Sequence, residues 1–295
     1  MPESDPLAAA YEICRRIHAH HGRSYYLATL LLPASQRPGI HALYAFARHV
    51  DDIVDVPLDN VPPHERLDEL VSQWHQAVRD GATDQPIFAA AADTVNKYGI
   101  GAQLTDDFLA AMRMDLDPQT YQTWDDLSSY TWGSACVIGL QTAQIFGTIG
   151  DRYTALHCAA LLGEAFQLTN FIRDYDEDRG RGRVYLPLEE FDNCGIEGGS
   201  GDSPQLRAVI AECVNRNREL YAAARPGIGM LEPAARPCVQ AAFSLYSGIL
   251  DEVVAADYDV IGHRHRVSTV RRAALLAATV PRIVASRRGR AASTL

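Results

Sequence analysis

The chain has 295 residues, 47% of them hydrophobic, and a formal net charge of −10. This length can bury one large core or two smaller ones, and the acidic balance argues against a nucleic-acid groove. The six cysteines are scattered without C-x-x-C spacing, and the N-terminus carries no charged-then-apolar signal sequence. Zinc and a disulfide framework are therefore not expected, and a reducing cytoplasm fits the cysteine usage.

Apolar residues recur at helical spacing along most of the chain, whereas alternation of β-branched residues is scarce. Residues 25–32 are ambiguous, and 192–204 have the composition of a loop. The predicted helices are, in chain order, 5–20, 37–54, one beginning at Pro62-Pro63, 86–98, 104–115, 123–147, 151–178, 205–224, 233–258 and 267–286. Since no repeat or linker divides the chain, this pattern predicts an all-α fold: a single large helical bundle around a central cavity, over residues 1–295.

Two segments bear on membrane contact. The uncharged run 127–150 contains Ser, Thr, Gln, Trp and several Gly, which indicates a buried helix rather than a membrane span. The C-terminal segment is rich in arginine and ends in a basic tail over about 282–295. That tail could contact an anionic membrane surface, although a solvated arginine-rich helix explains the same composition.

The stretch 41–57 places four polar side chains on one face of a predicted helix. At about 100° per residue, Tyr44, Arg48, Asp51 and Asp55 fall within a narrow wedge, and Asp52 lies beside them. We call this group the first acidic row.

The stretch 166–187 repeats the pattern. Gln167, Asn170, Asp174 and Asp178 share one face at i, i+3, i+7 and i+11, where the first row has i, i+4, i+7 and i+11, and we call them the second acidic row. Carboxylates four residues apart repel by roughly 0.2–0.5 kcal/mol on an isolated helix, and negative charge near a helix C-terminus opposes the macrodipole.

A cation between the rows would remove this penalty. Mg²⁺ suits the site because it takes carboxylate oxygens and bridges them to phosphates; Mn²⁺ is a substitute. Two solvated acidic helix ends are the alternative. The candidate metal ligands are Asp51, Asp52, Asp55, Asn170, Asp174 and Asp178.

At these residues the chain resembles the squalene/phytoene synthase family, and bacterial phytoene synthases within it most closely. The first row is similar to the family's Y-x-x-x-R followed by D-x-x-x-D, and the second is followed by Arg183-Val184-Tyr185-Leu186-Pro187. Further similar segments are 21–26, 130–139, 246–251 and 258–260, so the resemblance runs from about Tyr11 to Arg272.

The resemblance implies an isoprenoid-synthase type of helical fold and a set of substrate-binding residues. In a flap over the diphosphate these are His21, Arg23 and Ser24; elsewhere they are Gln167, Asn170, Arg173, Tyr185, Arg264 and Arg266. Two positions depart from the expected pattern. His263 stands where the first of two arginines is usual, and Leu30 where an arginine is common.

The predicted chemistry is ionisation of an allylic prenyl diphosphate. Metal held by Asp51, Asp55, Asp174 and Asp178 would act as a Lewis acid on the leaving group. Arg48 and Arg173 would donate hydrogen bonds to the phosphate oxygens. The rings of Tyr44, Tyr130 and Tyr246 could stabilise the carbocation, from which water must be excluded.

By resemblance, the leading function is head-to-head condensation of two geranylgeranyl diphosphates to phytoene, with no NADPH expected. One alternative is a squalene or dehydrosqualene synthase that uses farnesyl diphosphate. Another, motivated by His263 and Leu30, transfers one prenyl group to an acceptor such as an aromatic ring. A non-catalytic isoprenoid-binding subunit is a third. The expected location is the cytoplasm, with peripheral contact to the inner membrane face; oligomeric state and prenyl chain length are not predicted.

Overall fold

A computed structural model describes residues 5–56, 61–81, 83–117, 120–196, 203–269, 271, 272 and 274. Within these ranges the chain is helical, with two isolated β-bridges and no strand. The helices are α1 (Pro6–His21), α2 (Arg23–Thr29), α3 (Arg37–Asp55), α4 (Pro63–Asp80), α5 (Pro86–Tyr98), α6 (Ala102–Met114), α7 (Trp124–Thr131), a π-helix (Trp132–Cys136), α8 (Val137–Phe146), α9 (Arg152–Arg173), α10 (Tyr175–Gly180), α11 (Leu188–Asn193), α12 (Pro204–Gly229) and α13 (Arg236–Ala255). The all-α prediction is confirmed.

Local signals explain most helix starts. Thr123 caps α7 and forms a capping box with Asp126, as its sequence spacing predicts. Asp5, Gln85 and Asp151 accept hydrogen bonds from the first backbone N–H groups of α1, α5 and α9. The ambiguous segment 25–32 is helical as far as Thr29. Of the predicted last helix (267–286) and basic tail, only 267–269, 271, 272 and 274 lie within the described residues.

The single helix predicted over 123–147 is wrong in detail, because a π-helical turn separates α7 from α8. A Cβ on Gly133 would lie 2.4 Å from the Asp107 carbonyl oxygen of α6. A Cβ on Gly163 of α9 would lie 2.4 Å from the Ala135 oxygen. The π turn is thus wedged between α6 and α9, with no room for a side chain at Gly133 or Gly163.

The helix predicted over 151–178 also breaks. It ends at Arg173, Asp174 leaves the helical conformation (φ −100°, ψ 10°), and α10 restarts at Tyr175. Hydrogen bonds nevertheless continue across the break: the Asp174 N–H donates to the Asn170 carbonyl at 2.8 Å, and the Asp178 N–H to the Asp174 carbonyl at 2.9 Å. The predicted offsets of the second acidic row therefore survive. Asp is a poor helix former and the macrodipole disfavours it here, so the break falls at the carboxylate.

The predicted end of α12 at Ala224 is wrong, since the helix continues through Pro226 to Gly229. Gly227 allows α12 to pack closely against α9, because a Cβ at this position would lie 2.3 Å from the Cys158 Cβ of α9. Close contact along α9 holds the helix in register although Pro226 removes a backbone donor. The predicted helix 233–258 is shorter, Arg236–Ala255.

One described helix, α13, has the length and mean hydropathy of a membrane span, and 56% of that stretch is buried. It packs on α2, α9 and α12, and its Cys238, Val239, Ala242 and Tyr246 form part of the wall of a central cavity. These contacts make it a core helix of the bundle. The uncharged run 127–150 is likewise divided among α7, the π-helix and α8.

The close approach at Gly133 gives a first prediction. Gly133→Ala should destabilise the fold by about 1–3 kcal/mol, because the new methyl group overlaps backbone that cannot move aside. Urea unfolding followed by far-UV circular dichroism measures the change. Gly229→Ala is the matched control, since nothing lies within 4 Å of a Cβ there. Equal stability of the two variants would contradict the wedged π turn.

Candidate active site

A cavity of about 580 Å³ lies among α2, α3, α6, α8, α9, α12 and α13. Both acidic rows line it: Asp51 and Asp55 from α3, and Asp174 and Asp178 from the end of α9 and from α10. Most of the remaining wall is apolar. The two predicted rows therefore share one cavity, as their spacing suggested.

In the first row the two carboxylates differ in environment. Burial, and next the charge of Asp55, raises the pKa of Asp51 to about 7. Asp55 is more exposed and accepts a hydrogen bond from Arg183 Nη1 at 2.8 Å, with Arg181 at 3.7 Å. Among the described residues, the Asp51 carboxylate has no hydrogen bond or ion pair.

In the second row, too, one carboxylate is paired with arginine and the other is buried. Asp174 accepts from Arg173 Nε at 2.8 Å and pairs with Arg264 Nε at 2.9 Å. Burial, and next the charge of Asp174, raises the pKa of Asp178 to about 7. Within the described ranges, Asp178 has no direct partner. Each row thus holds one carboxylate neutralised by arginine and one that is desolvated and, in the described part of the chain, unpaired.

The donor atoms fit a hard divalent cation. Asn170 Oδ1 is buried with no hydrogen-bond partner in the described part of the chain, while its Nδ2 donates to Gln167 Oε1 at 3.4 Å. Together with Asp51 and Asp178, it gives the oxygen-only set that Mg²⁺ prefers. No three His, Cys, Asp or Glu side chains in the described residues are close enough to form a ready-made metal cluster.

Asp52 does not line the cavity. Its side chain pairs with Arg48 one turn earlier, so a role as metal ligand stays a prediction. Arg48 itself does line the cavity, and its Nε is a buried donor without an acceptor among the described residues. An unused donor here suits an anionic substrate group.

Aromatic rings cover two sides of the cavity. On one side Tyr25 and Tyr246 stack with centroids 4.6 Å apart, and Phe166 lies 4.7 Å from Tyr246. On the other, Tyr185 stacks between Phe171 (4.3 Å) and Tyr130 (5.5 Å). These ring faces can stabilise a cation without offering it a nucleophile.

Tyr44 stacks on His18, which pairs with His41, and sequence reasoning placed neither histidine in the site. His18 stacks on the Tyr44 ring at 4.2 Å, and His18 Nδ1 lies 2.9 Å from His41 Nδ1. Burial lowers the pKa of His18 to about 3 and that of His41 to about 4. Both imidazoles are therefore neutral near pH 7, and one donates to the other.

Asp115 is a second residue that the motifs did not reveal. It follows the last residue of α6 and accepts hydrogen bonds from Tyr130 (2.7 Å) and Tyr185 (3.0 Å). Burial raises its pKa. The sequence did contain an indication that Asp115 is functional, because it is another carboxylate at a predicted helix C-terminus, where the macrodipole disfavours negative charge.

The flap residues His21, Arg23 and Ser24 lie at the α1–α2 junction and do not form part of the cavity wall. Arg266 is also outside it, whereas Arg264 reaches Asp174 and Glu177. The substrate-binding roles of all five stay predictions.

The helical bundle with acidic rows facing one apolar cavity defines the isoprenoid-synthase class of fold. Comparison with known proteins gives the family. The family model described as squalene/phytoene synthase matches residues 18–273. The chain belongs to the squalene/phytoene synthase family and is accordingly a prenyltransferase.

Individual relatives agree with this assignment. Phytoene synthase from Arthrospira platensis is 33% identical over 88% of this chain and 89% of its own length. The 15-cis-phytoene synthase of Synechocystis sp. is 33% identical over 91% and 84%. Among solved structures, a dehydrosqualene synthase superposes with a TM-score of 0.85 at 25% identity, covering 95% of this chain and all of that one.

The two raised carboxyl pKa values give a second prediction. Carboxyls with folded pKa values near 7 favour the fold at low pH, so the stability they contribute is lost as pH rises from about 4 towards 8. Asp51→Asn and Asp178→Asn should therefore stabilise the metal-free protein at pH 8 by about 1–3 kcal/mol, and much less at pH 5. Urea unfolding at both pH values measures this, with Asp117→Asn as an exposed control. Destabilisation at pH 8 would contradict the desolvation argument.

Proposed function

We propose that this protein catalyses Mg²⁺-dependent head-to-head condensation of two geranylgeranyl diphosphates to phytoene, acting as one domain. The observation that carries the proposal is the placement of both acidic rows at one cavity whose other walls are apolar and aromatic. The phytoene synthase names of several relatives support it.

The charged end of the cavity would hold the diphosphate. Mg²⁺ bound to Asp51, Asp55, Asn170, Asp174 and Asp178 supplies Lewis-acid neutralisation of the leaving group. In this arrangement the protein's own task is to bind and orient the phosphate oxygens.

Arginine donors already lie in this part of the cavity. Arg48, Arg173 and Arg183 line the wall, and guanidinium groups donate charge-assisted hydrogen bonds to phosphate. The apolar wall then excludes water from the allylic cation, which the aromatic faces stabilise.

The depth of the cavity favours a C20 chain. Residues of α9 line it from Asn170 to Ala155, which spans about 22 Å at 1.5 Å per residue. An extended geranylgeranyl chain measures about 20 Å and a farnesyl chain about 15 Å, on C–C bonds of about 1.5 Å. Small side chains (Ala155, Cys158 and Ala159) leave the deep end open.

The structure weakens the case for an aromatic acceptor. The two residues that motivated this alternative, His263 and Leu30, are exposed and do not line the cavity. Arg264, the residue after His263, pairs with Asp174 of the second acidic row, so a guanidinium is retained near the predicted diphosphate site.

Location and membrane contact stay proposals. All six cysteines are free thiols, which agrees with the cytoplasm. The basic tail over about 282–295, on which the predicted membrane contact rests, lies outside the described residues.

The metal proposal predicts that Asp51→Ala and Asp174→Ala each lower turnover by about 10²–10³-fold while the protein stays helical, since loss of charge stabilisation at a developing anion costs that much. Purified protein is incubated with Mg²⁺ and geranylgeranyl diphosphate, and products are identified by mass spectrometry. Turnover that persists in both variants contradicts the assignment. Consumption only when an aromatic acceptor is present, with no C40 hydrocarbon, rejects head-to-head condensation.

The depth argument predicts a change of chain length. Ala159→Phe should suppress use of C20 diphosphate by about tenfold or more and spare the C15 substrate, because the ring fills the space of the last isoprene unit. A competition between the two diphosphates, read as C40 against C30 product, measures the shift. His157→Phe, on the exposed side of the same helix, should leave the ratio unchanged. Equal ratios in both variants would show that α9 does not set chain length.

A further inference from the structure

Asp115 holds two tyrosines of the cavity wall with one carboxylate. Tyr130 Oη donates to its Oδ2 at 2.7 Å, and Tyr185 Oη donates to its Oδ1 at 3.0 Å. These tyrosines lie 15 and 70 residues away in sequence. All three residues line the cavity, so Asp115 fixes the direction of two hydroxyl groups there.

The two rings held in this way belong to one stack of three aromatic rings. Tyr130 and Tyr185 lie 5.5 Å apart at 21°, and Tyr185 lies 4.3 Å from Phe171 at 13°. Burial, and next the charge of Asp115, raises the pKa of both tyrosines. They therefore remain protonated donors, and each hydroxyl hydrogen is committed to the carboxylate.

Arg183 anchors Asp115 from the other side. Its Nη2 donates to the Asp115 carbonyl oxygen at 3.3 Å, and its Nη1 to Asp55 at 2.8 Å. Val184, the next residue, forms a β-bridge with Thr120. The carboxylate thus lies at the boundary between the charged end of the cavity and the aromatic wall.

A free phenol hydroxyl in this wall would be harmful to the reaction. It could bind a water molecule next to the allylic cation, and that water would then attack. A C–O bond would form between the water oxygen and C1, a water proton would pass to the departing diphosphate, and a prenyl alcohol would leave.

We propose that Asp115 is a positioning residue for the carbocation steps: it turns the hydroxyls of Tyr130 and Tyr185 away from the cation, so that the aromatic wall borders the cation without a bound water molecule. The inference rests on the proposed function. It assigns Asp115 no contact with metal or diphosphate, and its effect is on how the cation partitions between coupling and hydrolysis.

Asp115→Asn tests the inference. The amide keeps the shape but offers one acceptor oxygen, so one hydroxyl loses its partner. We expect the alcohol share of the consumed C20 diphosphate to rise by about tenfold, the scale of a lost hydrogen bond to a charged group. Asp117→Asn is the matched control: this exposed carboxylate faces His64 at 3.5 Å, and its alcohol share should stay at the wild-type value.

A double-mutant cycle separates positioning from general damage to the fold. In a Tyr130→Phe/Tyr185→Phe background there is no hydroxyl to hold, so Asp115→Asn should raise the alcohol share by less than about threefold. Tyr185→Phe removes one hydroxyl but also frees one Asp115 oxygen, so it should raise the alcohol share by less than about threefold, which gives a readout even if Asp115→Asn fails to fold. Equal increases in both backgrounds, or a rise of about tenfold in Tyr185→Phe, would overturn the inference.

The outcomes also distinguish this inference from the proposed function. If the wild-type protein does not consume prenyl diphosphate with Mg²⁺, the function fails and the inference with it. If the wild type forms hydrocarbon and Asp115→Asn behaves like Asp117→Asn, the inference alone is wrong.

Discussion

The structure depends on how negative charge is held at the edge of an apolar cavity. Asp55 and Asp174 are neutralised by arginines, whereas Asp51 and Asp178 are desolvated, have no partner among the described residues and have pKa values near 7. Burying an unpaired carboxylate opposes folding, so the rest of the bundle must offset this cost. Buried ionisable groups with shifted pKa values are typical of functional sites, where a bound ligand can supply the missing counter-charge.

Close helix packing around α9 offsets much of that cost. Gly139 lies against Ala159, Gly163 against Ala135 and Gly227 against Cys158, each with no room for a Cβ. Dense contact of this kind stabilises a core without added side-chain volume. It also brings α8 and α12 close to α9, whose remaining face is left free to line the cavity from Asn170 to the deep end.

The sequence predicted the fold class and the shared cavity of the acidic rows because both depend on local spacing. Helical periodicity places Asp51 and Asp55 on one face whatever they pack against. The break at Asp174, the π turn and the passage of α12 through Pro226 depend on tertiary contacts, which periodicity does not contain. Asp115 was not predicted for the same reason, since its hydrogen-bond partner Tyr185 is 70 residues away in the sequence.

Charge and dryness make opposite demands on this cavity, because carboxylates attract water and an allylic cation must avoid it. The chain separates the two along one axis, with the acidic rows at one end and Phe166, Tyr246 and the deep apolar wall beyond them. Asp115 contacts the aromatic side directly, and both of its oxygens are occupied by phenol donors. A carboxylate whose acceptors are occupied has less need of water. Because hydrogen bonds from within the protein satisfy Asp115, a charged site and a water-free site can lie side by side in one cavity.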